Sequence, residues 1–598
     1  MSLQYMIAIV GGGASGVALA AKMVEALPVG PSTADLSIAL FDAGGARGGN
    51  AYAADLPTNL MNTTCGAIDR AYGDAFGFLR WARENPGKWQ PHLGQADLES
   101  GTYLPRPIIG AYLHDLLQHA RQAGAERGLA LDLVEDEVVD MVPIHGPDSG
   151  YRLLTCSGRR FEALYTYLAL GHLTPRKTEA YQSHARYHHT AYPVRGLADR
   201  IPSHAIVGVI GTRLSAIDVA LGLVATGHAG KIHCVSRGGR LPAVRADQGR
   251  YEFRELERED LQRKLKRPRA KLRLSEVAAM LGSEIEHAEG RAMELGDIVN
   301  AYRSPIEYYE HEIALAKGRA RPWQAVLYAT NRNIDLLWHH LEEDDKRLLM
   351  SEWLNDWLTY RASIPRENAE RILRLMRSGQ LTVRGGTRSF RHDTGAGAFR
   401  IAFRDDTTLE VEHLVAATGS ASRIEDADSA LVQNLLARGL VVPHRHGGID
   451  CVFETGRVIP RDDPDVDDGR LFALGPITSG VYFFTTALEI IERQASQRCN
   501  DLAFMLGVEW LERPEAEAWV DARQAEFIRA RDAAATPPDP GLDLLQRLVA
   551  NDQTDLIDFG QLRLLNDQIR PEDFGPEDFD AGGAPSDEAD EETGDAST

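Results

Sequence analysis

The sequence is poor in cysteine. Its 598 residues hold five, at Cys65, Cys156, Cys234, Cys451 and Cys499. The number is odd and no two are spaced Cys-x-x-Cys, which argues against a disulfide framework, a zinc site and a dithiol redox centre. A reducing, cytoplasmic setting is expected. Long apolar runs are also missing. None approaches the roughly 20 residues that span a bilayer, and the opening MSLQYMIAIV has neither a basic flank nor a cleavage site, so neither a membrane partner nor a signal peptide is expected. Basic charge is in deficit: 65 Lys and Arg against 87 Asp and Glu give −22, which speaks against a nucleic-acid partner. The basic run at residues 264–271 has no interleaved aromatics for stacking bases and reads as a solvated helix face. We find no Ser-His-Asp set, no nucleophile elbow, no metal-ligand cluster and no internal repeat.

What is present is ordinary globular composition, 43% hydrophobic and 25% charged, in a chain long enough for two or three domains. The strongest signal lies at the start, in YMIAIVGGGASGVALAAKMVEAL. An apolar strand runs into Gly11, Gly13 and Gly16, with Ser15 between them, and an amphipathic helix follows. The first glycine permits a tight turn, the second lets the backbone approach a pyrophosphate, and the third lets helix and strand pack closely. The phosphates would sit at the helix N-terminus. A second strand, DLSIALFDA, ends at Asp42, 31 residues after Gly11, where a carboxylate can accept hydrogen bonds from a ribose. The loop LPVGPSTAD accounts for a spacing longer than the usual ~20. These features suit FAD and NAD equally.

A second strand–turn–helix, IVGVIGTRLSAIDVAL, begins at Ile206. Gly211 and Thr212 open the turn, but Arg213 stands where the middle glycine belongs. Its Cβ intrudes on the backbone approach, while its guanidinium can clamp a phosphate bidentately. Ser215 adds a hydroxyl near the helix start. The next strand, GKIHCVSRGG, ends in Ser236 and Arg237 where an NAD-preferring domain places a carboxylate, and a hydroxyl with a guanidinium there suits the 2′-phosphate of NADPH. A remnant turn with Arg213 pointing to solvent is the competing reading.

Taken in order, GGGASGVALA, GGNAYAADLPTNLMNTTCGAIDRAYGDAFGFLRWARE, YLPRPIIGAYLHDLL, VIGTRLSAIDVAL, VSRGGRLPAVR and PWQAVLYATNRNIDLLWHHLEEDDKRLL resemble a bacterial FAD-NAD(P)-binding protein family related to the flavin-dependent N-hydroxylating monooxygenases, over residues 6–496. The resemblance implies an α/β flavoprotein with two Rossmann-like dinucleotide-binding domains; the charge and helix formers of residues 245–319 add a helical insertion, and the acidic end, nearly devoid of large apolar residues after Phe579, reads as a disordered acidic C-terminal tail. It implies FAD and NADPH as cofactors, oxygen and a small amino acid or amine as reactants, and hydroxylation through a C4a-peroxyflavin. Some related enzymes convert aspartate to nitrosuccinate.

Under this resemblance YTYLALGH and EHLVAATGS, ending at Gly171 and Gly419, are the crossovers between an FAD and an NADP domain. GRLFALGPITSGVYFFTTALEIIERQA closes over the flavin through Gly475 and Ser479, with Pro476 replacing the aspartate usual in relatives. The expected domains are FAD-binding at 1–200 and 380–500, NAD(P)-binding at 201–245 and 320–379, a helical insertion at 246–319, a helical extension at 501–575 and the tail at 576–598. No catalytic residue is identified. The weak candidates are His188 and Tyr192, which match half of an H-x-x-x-Y fingerprint, and Arg106, which could pair with a substrate carboxylate, an FAD phosphate or a structural carboxylate. An oxidase or reductase, a disulfide reductase using Cys65, and a non-catalytic flavin-bound adaptor are the alternatives.

Overall fold

The short apolar runs of this sequence form two separate main sheets, one parallel at its centre and one parallel throughout. The computed structural model describes residues 3–27, 36–71, 77–93, 98–144, 149–247, 249–265, 271–293, 295–299, 304–318, 320–421, 423–461 and 469–511. The first sheet has the order Ala130–Val134, Ser37–Phe41, Leu3–Val10, Arg160–Leu168, Gly150–Thr155, Val138–Ile144, and Leu471–Ala473 also pairs with Arg160–Leu168. Its central strands are parallel, with Ile9 opposite Leu40 on one side and Tyr167 on the other. Alternate residues of the first strand serve two cores. Ile7 and Ile9 pack under helices Ala14–Ala26 and Arg106–Glu126, while Ala8 and Val10 face helix Ala430–Arg438. Burial on both faces explains why the strand reads as a continuous apolar run.

The second sheet has the order Leu381–Arg384, Ile232–Val235, Val207–Ile210, His413–Ala416, Tyr187–His188, all parallel. Helices Leu214–Ala225 and Arg366–Arg377 cover one face. A three-stranded antiparallel sheet covers the other with Phe399, Ile401 and Phe403. The boundary expected at 380 is therefore wrong: both Leu381–Arg384 and His413–Ala416 belong to the second sheet, and the chain rejoins the first at Leu471. The two connecting segments are bonded to each other. Ala421 donates to the Leu173 carbonyl at 2.8 Å and Asp428 to Thr174 at 2.7 Å.

The helical insertion is also longer than expected. Phe253, Leu261, Ile285, Trp323, Val326, Leu337 and Tyr360 share one core, so it reaches Arg361 rather than 319. Helix Pro305–Gly318 instead places Tyr308, Tyr309 and Ile313 in the core of the second sheet. Trp338 is buried as its helical spacing suggests, but Trp353 is 45% exposed. Residues Met1–Arg513 form one compact unit. Helix Leu488–Leu511 runs through the expected start of the extension at 501. The rest of that extension and the acidic tail lie outside the described residues, as does most of the basic run at 264–271. Among the described residues no helix is long and apolar enough to cross a membrane.

Candidate functional site

The first glycine turn is built by exclusion. Gly11 has φ +111°, and a Cβ there would lie 2.3 Å from the Ala169 carbonyl oxygen. A Cβ on Gly16 would lie 1.8 Å from the Gly11 oxygen. At Gly13 nothing stands within 4 Å of a Cβ position. Gly13 begins helix Ala14–Ala26 without a side-chain cap and without acidic residues in the first turn. Uncapped N–H groups, an open approach and the positive end of the helix dipole fit a diphosphate.

Gly475 closes on the same helix end: its φ is +77°, and a Cβ would lie 2.3 Å from the Ser15 hydroxyl. Its own N–H donates to Gln494 at 2.8 Å. Ser479 starts the short helix Ser479–Tyr482 just beyond, and Gly171 lies two residues past Ala169, which walls the turn after strand Arg160–Leu168. The structure thus gathers the expected FAD residues at the carboxyl ends of the parallel strands. Asp42 differs from expectation. Its carboxylate accepts from the backbone N–H groups of Gly12 at 2.9 Å, Gly44 at 2.9 Å and Ala46 at 3.0 Å. It holds the loop around the turn and keeps little acceptor capacity for a ribose.

The second turn repeats the geometry with different side chains. Gly211 has φ +141°, and a Cβ would meet the Ala417 oxygen at 2.6 Å, two residues before Gly419. The Thr212 and Ser236 hydroxyls lie 3.1 Å apart. Thr212 donates to the Arg240 carbonyl at 2.7 Å, and Ser236 accepts from the Gly239 N–H at 2.8 Å. Both hydroxyls brace the loop, which corrects the expectation that Ser236 is held ready for a phosphate.

Arg213 points neither to solvent nor into the turn. Its Nη2 donates to the Asn355 carbonyl at 2.8 Å and to Asn355 Oδ1 at 3.1 Å, on helix Leu354–Arg361 of the insertion. Burial and the neighbouring Arg240 lower its pKa to about 10. Arg240 pairs with Asp356 on the same helix. Arg237 is exposed.

The weak catalytic candidates have structural partners. Arg106 lies 3.6 Å from Asp218 and over the Tyr192 ring, and Tyr192 donates to Asp218 at 2.6 Å. Ser215 bonds to the same tyrosine hydroxyl. Burial raises the Asp218 carboxyl above its usual pKa, against the pull of Arg106 and Tyr192. Of the three partners open to Arg106, the structure supplies the structural carboxylate. His188 is buried in the second sheet, its Nε2 3.1 Å from His413 Nδ1, and burial lowers its pKa to about 4. It keeps different company from Tyr192. Cys65 is fully buried, and burial raises its thiol to about 12, so it offers no thiolate for disulfide exchange.

One cluster was not visible in the sequence. Arg245 and Arg361, only 6% and 4% exposed, approach the ring of Tyr328 at 5.4 and 4.8 Å from its centroid. Arg361 also lies 5.1 Å from the Phe484 ring. Arg245 Nε donates to Ser363 at 3.0 Å and its side chain bonds Tyr103, while Arg361 donates to Asn331 and its buried Nε has no partner. Burial lowers the Arg361 pKa to about 10. Tyr328 also bonds Thr63, on the strand Leu60–Thr64 that pairs with Tyr103–Pro105. The cluster joins three distant stretches of chain, and the only linear hint is an arginine inside the apolar run LPAVRA.

Residues 8–173 match the family model described as FAD-NAD(P)-binding, which agrees with the first turn and its sheet. The match thus assigns FAD-NAD(P) binding to the first glycine turn and its sheet within an α/β fold. The fold as a whole is shared with two solved enzymes. The reduced form of an ornithine hydroxylase from Pseudomonas aeruginosa is 13% identical, with a TM-score of 0.52 over 84% of this chain and 100% of that one. An L-lysine 6-monooxygenase from Pseudomonas syringae is 14% identical, with a TM-score of 0.50 over 86% and 100%. No curated protein sequence matches.

Proposed function

We propose that this protein is an FAD-dependent, NADPH-using monooxygenase that hydroxylates the amino group of a small amino acid or amine. The observation that carries the reading is the pair of dinucleotide-type turns, one in each of the two main sheets, within a fold shared over 84% of this chain by an ornithine hydroxylase and over 86% by a lysine monooxygenase. FAD, once bound and reduced by NADPH, supplies the activation of oxygen that an amine hydroxylation consumes.

The protein's own residues bind, orient and exclude water. Gly11, Gly13 and Gly16 with the uncapped helix end take the FAD diphosphate, and Gly475 with Ser15 closes the first sheet around it. Gly211 shapes the second turn for a diphosphate, and Arg213 and Arg240 stand beside it, held by Asn355 and Asp356 of the insertion. Arg237, with no carboxylate at that strand end, supports a preference for the 2′-phosphate of NADPH. The helical insertion supplies Trp338, which stacks on Phe483 at 4.8 Å and donates to the Gly480 carbonyl at 2.7 Å, sealing the segment beyond Gly475. Such sealing limits futile decay of a reactive oxygen species.

The test is turnover of the FAD-loaded protein with NADPH and oxygen against a panel of amino acids and diamines. A substrate raises hydroxylamine or nitro product at the expense of peroxide. Full uncoupling with every candidate would overturn the reading in favour of an oxidase. Equal reduction rates with NADH and NADPH would remove the nucleotide preference.

A further inference from the structure

Asp218 is a buried carboxylate, 3% exposed, on helix Leu214–Ala225, which starts at the second nucleotide turn. Its cationic partner comes from the other half of the molecule. Arg106 opens helix Arg106–Glu126, which packs under the first sheet, and lies 3.6 Å from the carboxylate. Tyr192 donates to Asp218 at 2.6 Å and bonds Ser215, one turn earlier on the same helix. A second carboxylate crosses beside the first. Asp55, between helix Gly49–Tyr52 and strand Leu60–Thr64, accepts from the N–H groups of Val194 at 2.7 Å and Arg195 at 2.9 Å. Its neighbour Leu56 sits in the core of the second sheet, where a Cβ on Gly222 would come within 3.0 Å of it. The same first-half helix also bears on the first turn. A Cβ on Gly110 would lie 2.1 Å from the Tyr52 carbonyl oxygen, so the loop at residues 47–52 rests directly on it, and Gly48 of that loop pairs with Gly13. A continuous line of contacts thus runs from Gly13 through Gly48, helix Arg106–Glu126 and Asp218 to the helix that begins at the second turn.

A buried ion pair adds little net stability, because desolvation cancels most of the attraction and apolar side chains of similar size do as well. What it fixes is arrangement. Two apolar faces tolerate a small slide, whereas here a slide strips Asp218 of its guanidinium and its phenol together and leaves a charge unpaired. We propose that Asp218 is a positioning residue for flavin reduction: with Arg106 and Tyr192 it sets the register between the two nucleotide turns, and so the distance over which NADPH delivers hydride to FAD. The inference rests on the proposed function for the reaction it serves. In that step a hydride, two electrons with one proton, leaves the nicotinamide and joins the flavin, giving NADP+ and the reduced FAD anion, and nothing else is consumed. Asp218 takes no part in the transfer and acts through the placement of its helix. Transfer is sensitive to such placement, since a shift of about 1 Å can cost on the order of a hundredfold in rate.

Two measurements on Asp218→Asn and Tyr192→Phe test this. The first needs no cofactor. Spin labels at Gln122→Cys in the first half and Glu367→Cys in the second, both exposed helix positions, report the distance between the halves in the apoprotein, in a Cys156→Ser background that removes the exposed cysteine. One narrow distance is expected in the parent and a broadened or displaced one in both variants. The second is anaerobic reduction of the FAD-loaded protein. At saturating NADPH the rate should fall by about tenfold or more in Asp218→Asn and by less in Tyr192→Phe. The half-saturating NADPH concentration should stay within about threefold of wild type, and dithionite should still reduce the bound flavin. A merely structural role would lower the melting temperature and leave both measurements unchanged below it. The proposal is overturned if neither variant alters the distance, or if Asp218→Asn is reduced at the wild-type rate by saturating NADPH. Should Asp218→Asn not fold, Tyr192→Phe decides, and wild-type values in both measurements overturn the proposal. A wild type that binds FAD but is not reduced by NADPH would sink the proposed function, while the distance measurement would still decide the register.

Discussion

Gly13 and Gly16 sit three residues apart in one motif and are glycine for different reasons. A Cβ at Gly16 would strike the Gly11 carbonyl oxygen at 1.8 Å, so the requirement belongs to the folded protein itself. A Cβ at Gly13 meets nothing within 4 Å, and its φ of −74° is open to any residue. Gly16→Ala should therefore lower the stability of the apoprotein by about 1–3 kcal/mol through overpacking. Gly13→Val should leave the apoprotein within about 0.5 kcal/mol of wild type and weaken FAD by at least about tenfold. Thermal melts with and without FAD separate the two, and parallel behaviour of both variants would contradict the assignment. Asp42 shows where reading at this scale stops. The sequence places a carboxylate at a strand end, but its three N–H donors, Gly12, Gly44 and Ala46, are fixed only by how the loop folds back.

At the scale of elements, helix Leu354–Arg361 matters most, because it lies on the second nucleotide turn. Asn355 holds Arg213 and Asp356 holds Arg240. An anionic side chain of the insertion thus occupies a guanidinium that a nucleotide phosphate could use. Asp356→Asn should free Arg240 and tighten NADPH binding. The pair is partly exposed, Arg240 39% and Asp356 23%, so it is worth about 1 kcal/mol or less, and the gain should be up to about fivefold. Anaerobic reduction of the flavin over a range of NADPH concentrations reads it, and unchanged or weaker binding would show that Arg240 stays on the helix. Arg213 could be picked out in the sequence because it breaks a glycine pattern. Its partner could not, since Asn355 is 142 residues away and belongs to a helix whose own pattern speaks only of burial.

At the scale of the whole molecule, the two-sheet plan was legible and its seams were not. Each parallel strand is a short apolar run ending in glycine or a turn, which is why Val10, Ile210, Ala416 and Ala473 all mark sheet positions that the motifs predict. The seam at 380 misled because Leu381–Arg384 looks like any other strand, and nothing local says which sheet receives it. The insertion's end misled for a related reason. Trp323 and Val326 have ordinary helical spacing, and only the shared core with Phe253 and Ile285 assigns them. The Arg245–Arg361 pair lies at the meeting point of three such segments, so no single stretch of sequence contains it.

Among the described residues the chain passes between the two main sheets twice, near Gly171 and near Gly419, and the two passages are hydrogen-bonded side by side. Mechanically they form a two-ply strap. Such a strap ties the halves at one place, and the bonds of Trp338 to Gly480 and of Tyr328 to Glu489 tie them at others. It also makes the molecule tolerant of a cut. The hairpin tip at residues 394–396 is exposed, and the strands before and after it both belong to the second half. A protease site inserted there should yield two fragments that travel together on a sizing column, retain flavin and part only in denaturant. Separation under native conditions would mean that the covalent link at the tip, and not the shared sheets and the paired passages, had been holding the fragments together.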